Sequence, residues 1–289
     1  MKIRKNETLL VQVLENIIPS LDKPIATQKI IIEKIKVYIS NLPKSFNKFT
    51  ICHISDIHNT DFFQNNPQIL NQLTKEKIDI TVISGDLAHD NDIENSSVVI
   101  DKINSFCPYQ NIYISAGNHD LVDYKNKKIQ DDQKIQEIFT KNGSVFLRNE
   151  SRIIIKNKEQ INIIGIDDPE IQINENEYID SELKKITQNI PNNQTKILIS
   201  HRPEKIVIYS KYGLDLVFAG HAHGGQILFP NKQGLISPNQ GIFPKYTNGL
   251  YQYSETQMIV SPGVSNSYAI PRINNPGKIF LIELQNKIE

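Results

Sequence analysis

The amino-acid sequence predicts an α/β sandwich with mixed sheets. Of the 289 residues, 39% are hydrophobic and 22% are charged, which is the balance of a globular protein with a substantial core. Apolar, strand-like runs alternate with helical stretches, and short strands follow toward the end of the chain. Neither an internal repeat nor a low-complexity linker interrupts this order, so residues 29–289 are expected to form one domain.

The predicted strands begin with residues 29–40, where apolar and polar side chains alternate, and the pattern becomes regular after Pro43. Five apolar runs are expected to form the central strands: 49–55, 78–84, 111–116, 196–200 and 215–219. Helices are expected at 66–76, 94–106 and 126–142. The other predicted strands are 144–148, 152–156, 161–166, 225–229, 257–261 and 278–284. Helices that connect the central strands, together with further strands in antiparallel pairs, favour a sandwich of this class.

An amphipathic helix is predicted ahead of this domain, within residues 1–28, which also include a linker. Its apolar side chains share one helical face, and Pro19 ends the run: Leu9, Leu10, Val13, Leu14, Ile17 and Ile18. The helix can dock on its own domain or on a second subunit. Alternatively, it can lie on a membrane surface, helped by Lys2, Arg4 and Lys5.

Charge and cysteine content exclude several classes of protein. The chain has 32 basic and 32 acidic residues, so its net charge is zero and nothing draws it as a whole toward nucleic acid. Cys52 and Cys107 are expected to be buried free thiols, because two cysteines do not make a disulfide framework. The chain has neither a run of about 18 apolar residues nor a signal-peptide pattern. We therefore expect a cytoplasmic protein, with peripheral membrane contact through residues 7–18 as an alternative.

Each of the five central runs ends on a small residue and is followed, directly or after one glycine, by a side chain that can bind a metal. The endings are Ser55-Asp56-Ile57-His58, Ser84-Gly85-Asp86, Ala116-Gly117-Asn118-His119-Asp120, Ser200-His201 and Ala219-Gly220-His221-Ala222-His223. Ligands of open α/β sheets bind at the carboxyl ends of strands, so five such endings can meet at one place.

The pooled candidate metal ligands are Asp56, His58, Asp86, Asn118, His201, His221 and His223. Mixed nitrogen and oxygen donors suit manganese, iron or zinc better than calcium or magnesium. Seven donors are too many for one ion that must also hold substrate, but they suffice for two ions that share a carboxylate. A pair of ions about 3.5–4 Å apart is used for phosphoester hydrolysis. The two other histidines are interpreted as bystanders, His53 in the core and His89 in a loop.

These motifs resemble those of the calcineurin-like metallophosphoesterase superfamily, whose pattern is D-x-H, G-D, G-N-H-[DE], H and G-H-x-H. Every element of the pattern is present, and the resemblance extends over residues 30–285. It implies a four-layer α-β-β-α sandwich and two divalent ions, with manganese expected first and iron or zinc as alternatives. It further implies these roles: Asp56, His58 and His223 hold the first ion; Asn118, His201 and His221 hold the second; Asp86 bridges both; and His119 faces the substrate without binding metal.

Four further segments resemble a bacterial subgroup that includes membrane-associated phosphodiesterases and enzymes similar to UDP-diacylglucosamine pyrophosphatase. They are Leu147-Arg148-Asn149, Gly165-Ile166-Asp167-Asp168, Gly224-Gly225-Gln226 and Pro271-Arg272-Ile273-Asn274. Many members of that subgroup begin with a transmembrane or export segment, whereas this chain has the amphipathic stretch at 7–18.

The expected reaction is hydrolysis of a phosphodiester by a hydroxide that bridges the two metal ions. His119 is the expected acid for the leaving group, and Asp120 either orients it, caps the following helix or pairs elsewhere. Arg202 and Arg272 can pair with a substrate phosphate, although structural pairing is the simpler interpretation. The alternatives are a hydrolase of lipid-linked pyrophosphates at the membrane surface and a non-catalytic scaffold with the same fold. No nucleic-acid partner is expected.

Overall fold

The computed structural model describes residues 30–58, 61–88, 93–265 and 272–287. The predicted helix at 7–18, the boundary between residues 28 and 29, and His89 lie outside these ranges and stay predictions. The strands are β1 Ile30–Ile39, β2 Thr50–Ile54, β3 Ile80–Ser84, β4 Ile112–Ser115, β5 Val122–Asp123, β6 Lys128–Ile129, β7 Val145–Phe146, β8 Glu150–Lys156, β9 Glu159–Gly165, β10 Lys196–Ile199, β11 Leu216–Ala219, β12 Ile236–Ser237, β13 Gly241–Ile242, β14 Gly249–Tyr253, β15 Thr256–Val260 and β16 Gly277–Asn286. The α-helices are α1 Phe62–Asn65, α2 Pro67–Leu73, α3 Ser96–Asn104, α4 Asn118–Leu121, α5 Asp132–Phe139, α6 Glu175–Thr187 and α7 Ile206–Tyr209.

Two six-stranded mixed sheets form the centre of the molecule. The first has the order β1-β16-β2-β3-β4-β7, in which β16 is antiparallel to β2 and every other neighbouring pair is parallel. The second has the order β14-β15-β11-β10-β9-β8, with antiparallel pairs only at its two ends. All five central runs of the sequence analysis are therefore strands, and their carboxyl ends face one edge of each sheet.

The two sheets pack face to face. Each strand places alternate side chains on an inner face, toward the other sheet, and on an outer face. Ile51 and Val82 of the first sheet pack against Ile197 and Phe218 of the second in the inner core. The outer face of the first sheet is covered by α1, α2, α3 and α5, and that of the second by α6 and α7. The result is the α-β-β-α order of four layers that the sequence analysis expected.

His53, Cys52 and Cys107 are buried as expected, His53 between the two sheets and the cysteines between the first sheet and its helices. The ring of His53 lies 4.8 Å from that of Phe218, and its Nε2 is 2.8 Å from Ser84 Oγ. Burial lowers the pKa of His53 to about 3. Both cysteines are free and buried.

Several sequence predictions differ from the structure. Strands β12, β13 and β14 were not predicted. No helix was predicted between 166 and 196, yet α6 is the longest helix of the described residues. The helix predicted at 126–142 begins only at Asp132, because the hairpin of β5 and β6 occupies the preceding residues. The strand predicted at 225–229 is a 3-10 turn followed by isolated bridges, such as that between Ile227 and Ile273.

None of the helices in the described ranges combines the length and the apolar composition that crossing a bilayer requires.

Candidate metal centre

The candidate ligands converge where the carboxyl ends of both sheets meet. Asp56 follows β2 of the first sheet, and its carboxylate accepts hydrogen bonds from the backbone N–H of His221, which follows β11 of the second sheet. Within the first sheet, the backbone N–H of Asp56 donates to Gly85 O at 3.1 Å. The strand ends of the two sheets are thus tied together directly at the site.

Five of the candidate ligands have a left-handed backbone, which is uncommon for residues other than glycine. The φ angles are 49° at Asp56, 45° at His58, 53° at Asp86, 65° at His221 and 46° at His223. Each such residue costs free energy and persists only where its surroundings impose it. The fold therefore imposes strained backbone conformations on the turns after β2, β3 and β11, and these turns direct the side chains toward a common point.

Gly85 is required by both its backbone angle and its surroundings. Its φ is 89°, and a Cβ atom at this position would lie 2.5 Å from Nδ1 of His201 and 2.6 Å from Cα of Gly117. A larger residue would push apart the ends of β3, β4 and β10.

A first group of side chains consists of Asp56, His58 and His223, all buried. One donor atom from each lies within 4.8 Å of the others. His223 Nε2 is 3.6 Å from Asp56 Oδ1, and His58 Nε2 is 4.0 Å from the same oxygen. These distances leave room for an ion between the donors.

A second group consists of Asp86, His201 and His221, with donor atoms again within 4.8 Å of one another. His201 Nε2 lies 3.1 Å from Asp86 Oδ2 and 3.2 Å from His221 Nδ1. Asn118, at the start of α4, is buried, and its Oδ1 has no hydrogen-bond partner among the described residues.

The tautomers of three histidines are set by hydrogen bonds on the far side of each ring. Nδ1 of His201 donates to Ser84 O at 2.7 Å, and Nδ1 of His58 donates to Ala88 O at 3.2 Å. Nε2 of His221 donates to Oδ1 of Asn239 at 2.8 Å, since this oxygen can only accept. In the neutral rings, the nitrogens that face Asp86 therefore carry lone pairs, as metal ligands must.

The donor set fits a cation. In the neutral rings, two lone-pair nitrogens, Nδ1 of His221 and Nε2 of His201, face each other at 3.2 Å, which is unfavourable without a positive charge beside them. Asp86 Oδ2 is buried and accepts no hydrogen bond from the described residues. It lies 3.4 Å from Nε2 of His58 in addition to its contact with His201, so one carboxylate oxygen faces histidines on both sides.

Titration of the site reflects burial together with these close charges. Burial raises the pKa of Asp56 to about 6. Burial opposes ionisation of Asp86 as well, but the His201, His119 and His58 rings outweigh it and hold its pKa well below the usual range. Burial disfavours the charged form of His201, yet Asp86 and Asp56 raise its pKa to about 10. A metal ion that binds here takes the place of that proton.

His119 is only partly buried, whereas the candidate ligands are buried. Its backbone N–H donates to Asp86 Oδ1 at 2.9 Å, and its ring lies 4.9 Å from that of His58. A third set of donor atoms within 4.8 Å joins His119 to His58 and Asp86. The geometry brings His119 to the centre and is compatible with a ligand as well as with an acid.

Asp120 pairs with backbone rather than with the His119 ring. Its Oδ2 accepts from the N–H groups of Asp86 and Gly117 at 2.8 Å, and its Oδ1 accepts from that of Ala88 at 2.9 Å. Of the alternatives for Asp120, capping and pairing with backbone are the ones that these contacts support, since its carboxylate joins the loops after β3 and β4 and accepts from Gly117 at the start of α4. Burial raises the pKa of Asp120 to about 7.

Arg202 and Arg272 are both buried and engaged inside the protein. Arg202 makes a bidentate pair with Asp168, at 2.6 and 2.7 Å, and Arg272 donates to the backbone carbonyls of Ser265 and Pro262. This supports the structural interpretation of both arginines over a contact with substrate phosphate.

Asn239 and Tyr124 contact the candidate ligands but were not found from the sequence. Asn239 accepts from His221, and the hydroxyl of Tyr124 accepts from Nδ2 of Asn118 at 3.0 Å. Tyr124 lies four residues after the Gly117-Asn118-His119-Asp120 motif, which is a signal that could have identified it. Asn239 lies in a loop with no comparable pattern.

A known protein family matches the part of this chain that carries the candidate ligands, and several known proteins are similar to the chain. A family model described as calcineurin-like phosphoesterase matches residues 49–225. The uncharacterized metallophosphoesterase YkoQ of Bacillus subtilis is 28% identical over 76% of this chain and 77% of its own, and YkuE of the same organism is 26% identical over 78% and 75%. Phosphodiesterase YaeI of Escherichia coli is 21% identical over 73% and 72%.

Proposed function

Because this chain belongs to the calcineurin-like phosphoesterase family, a family of hydrolases that use divalent metals, we propose that it is a phosphodiesterase with a dinuclear metal centre. The observation that carries the proposal is Oδ2 of Asp86. This buried oxygen has no hydrogen bond from the described residues and lies within 3.4 Å of a histidine nitrogen on each side. Such an oxygen suits a carboxylate shared between two cations.

Seven side chains would hold the ions. Asp56, His58 and His223 would hold one, Asn118, His201 and His221 the other, and Asp86 both. Manganese suits this mixture of imidazole, carboxylate and amide donors, and iron or zinc would also fit. When bound, the ions lower the pKa of a water molecule and neutralise charge on the phosphoryl oxygens.

The residues of the chain supply the remaining chemistry. His119 sits beside the candidate ligands and is proposed to protonate the oxygen of the leaving group. Asp120 keeps the turns that carry Asp86 and Asn118 together through three backbone N–H groups. The hydrogen bonds to Ser84 O, Ala88 O and Asn239 hold the imidazole rings in one orientation, so the donors are arranged before substrate arrives.

A diester is favoured over a monoester by one comparison, since a relative with similar coverage carries the name phosphodiesterase. The test is turnover of a bis-aryl phosphodiester and of the corresponding aryl monoester, each with Mn²⁺ added and with the metal removed by a chelator. We expect faster turnover of the diester, and only with metal. Faster turnover of the monoester would reject the diester assignment.

The dinuclear centre has its own test. Asp86→Ala should lose turnover and both bound ions, measured by elemental analysis after gel filtration, because one carboxylate serves both groups. Asp180→Ala is the control, since Asp180 is an acid on α6 that pairs with Lys211 at 3.2 Å and belongs to neither group of candidate ligands. An Asp86→Ala protein with full activity, or with one ion still bound at the affinity of the parent, would contradict the shared carboxylate.

A second candidate function is hydrolysis of lipid-linked pyrophosphates at a membrane surface. The segment that follows His223 exposes Phe229, Ile242 and Phe243, with exposed fractions of 39, 57 and 61%. No acidic residue occurs between Asp215 and Glu255, whereas two lysines do. The same segment reaches the site through Asn239, so an apolar and cationic surface adjoins the candidate metal centre.

Flotation with vesicles of anionic and of zwitterionic lipid tests this second function. We expect the parent protein to float with anionic vesicles and Phe243→Ser to float less. Ile155→Ser is the control, because Ile155 is 70% exposed on β8, away from this segment. A deletion of residues 1–20 tests the predicted helix at 7–18 in the same assay. Equal flotation of the parent protein and of Phe243→Ser would mean that this segment does not contact lipid.

A further inference from the structure

One series of neighbouring polar side chains contacts two candidate ligands of the second ion, by a hydrogen bond at Asn118 and by packing at His221. It starts at Asn118, whose Nδ2 donates to the hydroxyl of Tyr124 at 3.0 Å. Burial, and next the charge of the nearby Glu170 carboxylate, raise the pKa of that hydroxyl. Glu170 accepts a hydrogen bond from Nη2 of Arg202 at 2.7 Å, so an amide, a phenol, a carboxylate and a guanidinium neighbour one another in turn.

The other end of this series lies against His221. Nη1 of Arg202 is 3.2 Å from Nε2 of His221, and Arg202 is held in place by its bidentate pair with Asp168. The backbone is fixed as well, because the Tyr209 hydroxyl donates to Arg202 O at 2.8 Å. Since the Arg202 side chain is fully buried, it has little freedom to move away from the imidazole.

Asn118 and His221 are both proposed to hold the second ion. Neither belongs to the group of Asp56, His58 and His223. The contacts that the structure gives for that first group come from other sources, such as Ser55 Oγ on Asp56 and Ala88 O on His58. The series therefore adjoins one half of the centre.

We propose that Tyr124, Glu170 and Arg202 are positioning residues that set the affinity of the second metal ion and leave that of the first unchanged. The inference rests on the proposed dinuclear function. Tyr124 holds the amide of Asn118 through its Nδ2. Arg202 packs against the edge of the His221 ring without a hydrogen bond to it, because Nε2 of His221 donates to Asn239. Partners of this kind, which orient metal ligands from behind, are typically worth about 10–100-fold in metal affinity.

Tyr124→Phe is the central variant, because it removes one hydroxyl and keeps the ring that packs 4.8 Å from His119. Glu170→Gln is the second variant, since it keeps the shape and removes the charge. Arg202 is left intact, because its loss would leave Asp168 buried without a partner and endanger folding. Tyr178→Phe is the matched control: the Tyr178 hydroxyl also accepts from an asparagine amide, that of Asn149, at 2.8 Å, but away from the candidate ligands.

The experiment is a Mn²⁺ titration of each full-length protein, with bound metal measured by elemental analysis and coupling between ions by electron paramagnetic resonance. Thermal unfolding without metal checks that the variants fold. We expect Tyr124→Phe and Glu170→Gln to bind the first ion as the parent does and the second about 10–100-fold more weakly, with loss of the signal of coupled ions. Tyr178→Phe should match the parent.

Unchanged affinity for both ions in the two variants would overturn the inference, and so would an equal loss at both sites. In either case a parent that binds two ions and is active would leave the proposed function standing. If the parent itself binds fewer than two ions, the dinuclear function fails and this inference fails with it.

Discussion

Asp120 illustrates how a motif residue can act through the backbone. Its carboxylate accepts N–H donors from Asp86, Ala88 and Gly117, so it fastens the turn after β3 to the turn after β4. The sequence places it beside His119, but a helical residue and its direct neighbour point in different directions. This is why adjacency along the chain did not predict the partner.

His119→Ala should keep both metal ions and lose turnover. The expected loss for a substrate with a poor leaving group is about 10²–10⁴-fold, because the departing oxygen then lacks its acid. Bound metal per chain and kcat for substrates of different leaving-group pKa are the measurements. Loss of one ion in this variant would instead make His119 a ligand, which the third set of donor atoms also permits.

His53 should make the protein less stable in mild acid. Its pKa is lowered to about 3 in the fold from 6.5, so below pH 6.5 the unfolded chain binds a proton that the folded chain does not. Stability is therefore unaffected by His53 above pH 6.5 and falls by up to about 1.4 kcal/mol per pH unit below it.

Urea unfolding of metal-free parent and His53→Gln protein at pH 7.5 and pH 5.5 isolates this contribution. The free energy of unfolding of the parent should fall more between the two pH values than that of the variant. An equal fall in both proteins would mean that His53 does not contribute.

At the scale of elements, α6 is the helix that periodicity should have indicated. Its buried residues Ile179 and Leu183 are four positions apart, as one helical face requires. Asn174 is the N-cap of this helix, because its side chain accepts from the backbone N–H of Glu177, and an asparagine at such a position is a signal readable from the sequence. The apolar face of α6 was not recognised from the sequence, because only two of its residues are buried and many of the others are charged.

Leu183→Ala should destabilise the fold by about 2–5 kcal/mol, because a fully buried side chain on the second sheet is replaced by a cavity. Ile173→Ala is the control, since Ile173 is fully exposed just ahead of the same helix, and it should change stability by less than about 0.5 kcal/mol. Chemical denaturation measures both. Similar losses in the two variants would contradict the packing of α6 on the sheet.

The central strands were predictable and the loops between them were not. Each candidate ligand follows a run of buried apolar residues, so its approximate place at a strand end could be inferred from the sequence. The contacts that orient the ligands come from segments distant in sequence, as Asn239 does for His221 and Ser84 O for His201. Such contacts depend on how two sheets meet, which local patterns do not encode.

At the scale of the whole molecule, the centre lies where two sheets converge and concentrates buried ionisable groups. Chelation of the metal should therefore lower thermal stability. An ion present at about a thousand times its dissociation constant stabilises the folded state by about 4 kcal/mol, which for a chain of this size corresponds to a fall in Tm of about 7 °C on removal. Thermal unfolding with and without a chelator, then with Mn²⁺ restored, measures it. An unchanged Tm would argue against tight binding by the folded chain.

The pairing of β1 with β16 has a consequence for how the molecule is made. The first described strand and the last lie side by side over ten residues, and β16 also connects β1 to the rest of its sheet. A ribosome releases Ile30 long before Gly277, so β1 has no neighbour in its sheet until synthesis is almost complete. Pairing over such a separation is slow, and an unpaired strand invites association with other chains. Chains cut short before β16 are therefore expected to be the aggregating species in the cell, even though every candidate metal ligand has already been synthesised.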